Sequence, residues 1–318
     1  MTRAVPNNEE NSCPFFTVFT PTYNRAHTLG RVYESLKDQT LFDFEWIIVD
    51  DGSSDNTRSL VESWIREASP FPIKYFYQTN RGKHVAINHA VREAHGFFFI
   101  ILDSDDTCVP EALERFAYHW QAIDESSRDS FCGVTSLCRY QDGRLVGIPF
   151  PGDSVASNHL EMIYKFKIKN EMWLCIRTAV MREFPFPEPD VRYFPEATVW
   201  TRMARVYKTL YINEMLRVYW QDQPSLMRGC SPEDNAAGGR LALLSVLTEQ
   251  MDWFGCDPRF FLRSAIHYAR FSFHCGIRLS SQFGLLTNVQ AKILWLVGLP
   301  VASAVYLRDR SRAGYRKT

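Results

Sequence analysis

The chain has 318 residues, enough for one large domain or two small ones, and 46% of them are hydrophobic, which allows a sizeable core. Lysine plus arginine and aspartate plus glutamate each number 36, so the net charge is zero and nothing provides the basic surface a nucleic-acid partner needs. The eight cysteines form no C-x-x-C pair, which argues against a zinc site and fits reduced thiols, and the polar start MTRAVPNNEENSCP has no apolar signal core, so a cytoplasmic protein is expected.

FFTVF at residues 15–19 is a short apolar run that ends at Pro21 and reads as a buried strand. Residues 28–39 carry Leu29, Val32, Tyr33 and Leu36 at helical spacing. FEWIIVDDGSSDNT supplies a second buried strand, a turn and a helix N-cap signal, and residues 57–67 follow as a helix. IKYFYQ reads as a third strand, GKHVAINHAVREAHG as a helix closed by Gly96, and FFFIIL as a fourth strand running straight into DSDD, residues 103–106. Beyond about residue 110 the alternation fades. FCGVTSLCRYQDGRLVGIPF reads as a hairpin around Asp142-Gly143. MWLCIRTAVMREFPFPEPD enters a proline-rich loop, residues 197–208 read as a helix, and TLYINEMLRVYW reads as one strand or two. From residue 238 the chain is helical and rich in aromatics.

Strands alternating with helices predict an α/β fold with a parallel, doubly wound sheet, whose ligands sit at the carboxyl ends of the strands. Three polar motifs fall at those ends: PTYN, DDGS and DSDD. Each has a bland explanation: an edge-packing aromatic for Tyr23, a turn with an N-cap for DDGS, a solvated Asx turn for DSDD. None of these explains why all three share one edge. Crowded carboxylates after an apolar strand suit a hard divalent cation, magnesium or manganese, which bridges readily to phosphate. An aspartate at the second strand end can accept hydrogen bonds from a nucleobase or ribose, and the Tyr23 ring can stack on a base.

FTVFTPTYNR, FEWIIVDDGSSDNT, NRGKHVAINHAV and FFFIILDSDD, in this order and spacing, resemble the family 2 inverting glycosyltransferases, nucleotide-sugar enzymes of the GT-A fold. The resemblance is close over residues 14–110 and looser to about 225. It implies a mostly parallel, mixed sheet flanked by helices. It further implies a catalytic domain at 14–225, with a nucleotide-sugar half (14–110) and an acceptor half (111–225), and a helical extension at 238–318. It assigns Pro21, Thr22, Tyr23 and Asp51 to the nucleoside. Asp103 and Asp105 match its D-x-D element, Asp105 meeting the metal and Asp103 the ribose or sugar and the metal, with Asp106 assisting either. Arg81 and Lys83 fall near the diphosphate or sugar, unless they are an ordinary solvated pair.

An inverting transfer needs a base for the acceptor hydroxyl. The family places an acidic pair before a helix in the second half. Here that position reads Glu196-Ala197, so Glu196 stands alone as the candidate, with Glu188 and Asp190 as nearby alternatives. The alternative for Glu196 is a first-turn acid favoured by the helix dipole.

Residues 293–307, ILWLVGLPVASAVYL, are uncharged, contain Gly298 and Pro300, and precede Arg308, Arg310 and Arg312. The run falls short of the roughly 20 residues of a spanning helix. It suits either a segment lying in an anionic membrane interface or a helix packed on the domain. His267 and His274, seven apart on one helix face, read as packing or interface residues rather than metal ligands. The expected function is metal-dependent, inverting transfer from a nucleotide-sugar, a UDP-sugar foremost. The acceptor expected is lipid-linked or polysaccharide, in bacterial surface glycan synthesis, with the enzyme cytoplasmic or peripheral on the inner face of the plasma membrane. A nucleotidyltransferase would carry a glycine-rich loop where PTYNRAHTLG stands, and a non-catalytic nucleotide-sugar-binding scaffold would have lost the D-x-D or the base.

Overall fold

The computed structural model describes residues 13–191, 193–222 and 232–315, with side chains as far as 311. The expectations for the N-terminal segment 1–12, Cys230, the Arg312 side chain and the boundary at 225 lie outside the described residues.

The first half alternates as its apolar runs require: β1 (Phe16–Thr22), α1 (Ala26–Lys37), β2 (Phe44–Asp50), α2 (Thr57–Arg66), β3 (Ile73–Tyr77), α3 (Lys83–Glu93) and β4 (Phe98–Ile101). Every residue of β2 is buried, the pattern of a strand covered on both faces. β1 pairs in parallel with both β2 and β4, and β2 with β3. Pro21 lies inside β1 rather than beyond it. The Phe19 carbonyl faces β4 and accepts from the Leu102 N–H. Pro21 has the same parity, and the last β1–β4 pair is Phe19 with Ile101, so its missing N–H costs no ladder bond.

The second half comprises β5 (Thr107–Cys108), α4 (Ala112–Ala122), β6 (Phe131–Tyr140), β7 (Ser154–Ser157), α5 (His159–Tyr164), β8 (Met172–Arg177), α6 (Thr178–Glu183), α7 (Ala197–Met203) and β9 (Lys208–Tyr219). The sheet runs β3-β2-β1-β4-β8-β6-β9-β5, with β7 also on β9. It is mixed, because β8 pairs antiparallel to both β4 and β6 whereas β6 and β9 are parallel. Two expectations are corrected here, and a third is resolved. The hairpin around Asp142-Gly143 turns, but it closes only one bridge, Arg139 with Leu145; β6 pairs instead with β8 and β9. The helix expected over 197–208 ends at Met203. TLYINEMLRVY is one strand, kept continuous by register shifts against β6.

Helices α8 (Ala236–Glu249), α9 (Pro258–His274), α10 (Leu279–Leu285) and α11 (Val289–Tyr315) form a C-terminal layer. Their apolar core joins Leu160 and Tyr164 of α5 to Phe261, Tyr268 and Trp295. The apolar run at 293–307 is therefore only the middle of a longer helix, in which 23 residues, Val289–Ser311, are long and apolar enough to cross a membrane.

Candidate active site

Parallel pairing with matched register sets the strand ends level: Thr22 is opposite Asp50, and Phe19 opposite Ile101 just before DSDD. The PTYN and DDGSSD loops are clasped together. Asn24 adopts φ 53° and its Oδ1 accepts from the N–H groups of Ser54 (2.8 Å) and Asp55 (3.3 Å), while its own N–H donates to Ser53 Oγ at 2.8 Å. Gly52 sits at φ 89°, where a Cβ would lie 2.9 Å from the Asn80 nitrogen, so the turn requires glycine.

These loops open on a cavity of about 760 Å³, within the range of small-molecule sites. Pro21, Thr22, Tyr23, Asp51, Lys83, Asp103, Asp105, Asp106 and Glu196 all line it. The structure thus brings together residues as much as 175 positions apart in sequence, from Pro21 to Glu196. Arg81, Glu188 and Asp190 are not among the lining residues. Arg81 pairs with Glu188 at 3.1 Å, and Glu188 also accepts from Asn88 at 3.0 Å.

Lys83, the first residue of α3, links the two halves. Its ammonium donates to Asp103 Oδ1 at 2.6 Å and to Glu196 Oε1 at 2.7 Å. Burial alone would lower its pKa, but Asp103 and Glu196 outweigh that and hold it well above the ordinary range. Burial likewise pushes Asp103 up, and Lys83 with Arg217 more than reverses it, so its carboxyl is held down.

The three acids of DSDD are not equivalent. Asp106 is 1% exposed and both its oxygens are engaged: Oδ1 accepts the Trp220 N–H at 3.0 Å and Oδ2 accepts Arg217 Nε at 2.7 Å. Burial pushes its carboxyl up to about 6, with Arg217 pulling the other way. The sequence-based suggestion that Asp106 helps with the metal or the sugar thus meets a side chain already committed to protein donors. Asp103 shares Lys83 with Glu196 and lies 3.4 Å from the Arg217 guanidinium. Asp105 is the freest: its side chain is 29% exposed, Arg25 is 3.7 Å away, and burial with the Asp103 charge raises its pKa. Among the described residues no three Asp, Glu, His or Cys side chains converge as a metal cage. A cation held by one or two carboxylates together with a ligand's phosphates needs no such cage, and Asp105 with Asp103 fits that mode.

Two buried polar atoms on the lining residues lack a partner among the described residues: Thr22 Oγ1 and His84 Nδ1. Buried polar groups are normally satisfied, so such atoms mark a place for a ligand or water. Asp51 already accepts from Gln78 Nε2 (2.8 Å) and from the N–H groups of Arg81 (2.9 Å) and Gly82 (2.8 Å), holding the loop before α3. Tyr23 is exposed at the rim.

Sequence reasoning missed Arg217, Arg25, Glu171 and His84. Arg217 had a signal: an arginine between Leu216 and Val218 in an apolar strand points away from both, here onto Asp106 and 3.2 Å from Glu171.

Fold and site together define an α/β protein of the GT-A type, with its polar cavity at the carboxyl edge of the sheet. Residues 17–183 match the model of glycosyl transferase family 2, and the chain belongs to that family. It is 27% identical to the GalNAc(5)-diNAcBac-PP-undecaprenol beta-1,3-glucosyltransferase of Campylobacter jejuni, over 65% of this chain and 64% of that protein. It therefore spans just under two thirds of that relative's length. It is 28% identical to the putative teichuronic acid biosynthesis glycosyltransferase TuaG of Bacillus subtilis, over 65% of this chain and 79% of TuaG. Two solved structures share the fold. S. aureus TarS 1-349 in complex with UDP-GlcNAc has a TM-score of 0.55 at 22% identity, covering 90% of this chain and 80% of that one. The mannosyltransferase PcManGT from Pyrobaculum calidifontis, in complex with GDP-Man and Mn2+, has a TM-score of 0.54 at 18% identity, covering 94% of this chain and 83% of that one.

Proposed function

We propose that residues 14–225 form a metal-dependent, inverting glycosyltransferase domain, with 238–318 as a helical extension. It moves a sugar from a nucleotide-sugar, a UDP-sugar foremost, to a hydroxyl of a lipid-linked or polysaccharide acceptor on the cytoplasmic side of the membrane. The observation that carries this is the Lys83 bridge, which puts the D-x-D acid Asp103 and the lone acid Glu196 in one cavity. The relatives add support. TarS is seen with UDP-GlcNAc, PcManGT with GDP-Man and Mn2+, and the Campylobacter protein is named for an undecaprenol-linked acceptor.

In this reading Tyr23 stacks on the base and Thr22 Oγ1 gains a hydrogen bond from the nucleoside. Asp51 shapes the nucleoside end by fixing the loop at Arg81 and Gly82. Asp105 and Asp103 would hold magnesium or manganese, and the bound cation would supply positive charge to the departing diphosphate. Glu196 takes the proton of the acceptor hydroxyl as its oxygen bonds to the anomeric carbon and the diphosphate leaves. Lys83 keeps the Glu196 carboxylate turned into the cavity. Asp106 acts at one remove, by holding Arg217 beside Asp103.

Calorimetry of UDP binding with and without manganese, on wild type and Asp105→Ala, tests the donor site. A gain in UDP affinity with manganese that the variant loses is expected. Absence of UDP and GDP binding under every condition refutes the reading, and binding without turnover of any donor marks a scaffold.

A further inference from the structure

Helix α11 has two unlike faces. Ala291, Trp295, Gly298 and Ala302 are buried against α9 and α10, and a Cβ on Gly298 would come within 2.8 Å of Ile266. On the other side Val289, Ile293, Leu296, Val297, Val301 and Leu307 are 51–70% exposed. At 100° per residue they all fall on one side of the helix, a stripe about 27 Å long at 1.5 Å per residue. Leu279, Phe283 and Leu285 of α10 are exposed as well, and Phe283 packs against Trp295 with ring centroids 5.8 Å apart. A contiguous exposed apolar surface of this kind marks an interaction site.

The charge around it names the occupant. From Gly276 to the end the sequence holds seven cations, Arg278, Lys292, Arg308, Arg310, Arg312, Arg316 and Lys317, against one acid, Asp309. That acid is already paired with Arg270 at 2.6 Å and in hydrogen-bond contact with His274 at 3.2 Å. An apolar stripe within an almost purely cationic segment fits an anionic lipid surface.

The same contacts decide how it meets that surface. α11 is fastened near both ends: Trp295 Nε1 donates to Gln282 Oε1 at 3.1 Å, and Asp309 is held by Arg270 and His274 of α9. A spanning α11 would either break these contacts or carry Arg270, His274 and Asp309 into hydrocarbon, where charged groups are costly. We infer that the outer face of α10 and α11 lies flat on an anionic membrane without crossing it. α9 connects this face to the site, since Phe260 in its first turn lines the cavity and its last turn holds α11. The inference deepens the lipid-linked acceptor of the proposed function, but it is read by vesicle binding alone, so either can fail without the other.

The test is flotation of the full chain with phosphatidylcholine vesicles, with and without phosphatidylglycerol. The chain is expected to float with the anionic vesicles and to be released by added salt or by alkaline carbonate. Ile293→Glu/Val297→Glu should cut the bound fraction at least about tenfold with melting temperature and UDP binding unchanged, since both side chains point to solvent. Val301→Glu/Leu307→Glu should do the same, and serves if the first pair misfolds. Arg308→Glu/Arg310→Glu should abolish the preference for anionic lipid. Failure to float, equal binding to neutral vesicles, or retention after carbonate overturns the inference. A dimer in sedimentation that Ile293→Glu/Val297→Glu dissolves, with no vesicle binding, would instead assign the face to a second copy.

Discussion

Among the described residues, replacing Arg217 with methionine removes the one side-chain cation on Asp106 and leaves an acid that is 1% exposed with a single donor, the Trp220 N–H. Its other acidic neighbours matter less: Asp103 keeps Lys83, and Glu171 is 48% exposed and can turn to water. The cost therefore falls almost wholly on Asp106. Breaking a buried pair by removing one partner costs about 3–5 kcal/mol. At about 2–4 °C per kcal/mol for a chain of this size, the melting temperature should drop by about 6–20 °C. The effect has a pH signature. Burial already puts the folded carboxyl at about 6, above an unfolded value of about 3.9. Without the guanidinium it rises further, so the folded variant binds more protons than the unfolded chain over a wider range. Its stability then falls as pH rises, and the gap to wild type should be smaller at acid pH than at alkaline pH. Adding Asp106→Asn, which removes the charge but keeps an acceptor for Trp220, should recover at least half of the loss. Thermal scans across pH read all three effects. A melting temperature unchanged at both ends of the range would refute the claim that Arg217 compensates a buried charge.

Glu196→Gln keeps the shape and an oxygen for Lys83 but cannot accept a proton, so turnover should fall about 10²–10⁴-fold with UDP affinity unchanged; turnover near wild type removes Glu196 as the base. Gly52→Ala places a Cβ 2.9 Å from the Asn80 nitrogen at φ 89°, which should cost about 1–3 kcal/mol in denaturant unfolding; an unchanged midpoint would mean the loop relaxes freely.

The first half of the fold was legible because its strands are short, mostly apolar runs that alternate one by one with helices. The level strand ends, and so the meeting of PTYN, DDGS and DSDD, follow from that regularity. The second half was not, because its strands pair in mixed directions without a helix between each: Phe131 sits parallel and opposite Lys208, and Met172 antiparallel and opposite Leu137. Asp142-Gly143 forms the turn its dipeptide promises, but local chemistry cannot say that the chain leaves after one bridge. The 293–307 run was read as short because Lys292 and Arg308 bound it, yet both are good helix formers and the helix continues through them. In the site, charge patterning exposed the acids but not their partners. Lys83, Arg25 and Arg217 all lay in quoted segments, but Arg217 reaches Asp106 through β9 pairing with β5, which the sequence order does not reveal.

The balance of charge in the cavity leads to a last prediction. Six lining acids, Asp51, Asp103, Asp105, Asp106, Glu171 and Glu196, face four lining cations, Arg25, Lys83, Lys169 and Arg217. A diphosphate entering alone meets net negative charge, and a divalent cation cancels the excess. Asp105 is the acid least engaged by protein partners, so its charge should act most directly on an incoming phosphate. Asp105→Asn should thus have two opposite effects. It should abolish the manganese-dependent gain in UDP affinity. In the presence of a chelator it should bind UDP no more weakly than wild type, and up to about tenfold more tightly. One charge at about 8 Å is worth about 2 kcal/mol at an effective dielectric of about 20, before screening. Titrations in EDTA and in manganese separate the two effects. If the variant binds UDP more weakly than wild type in EDTA, Asp105 contacts the nucleotide directly and the charge argument for the metal fails.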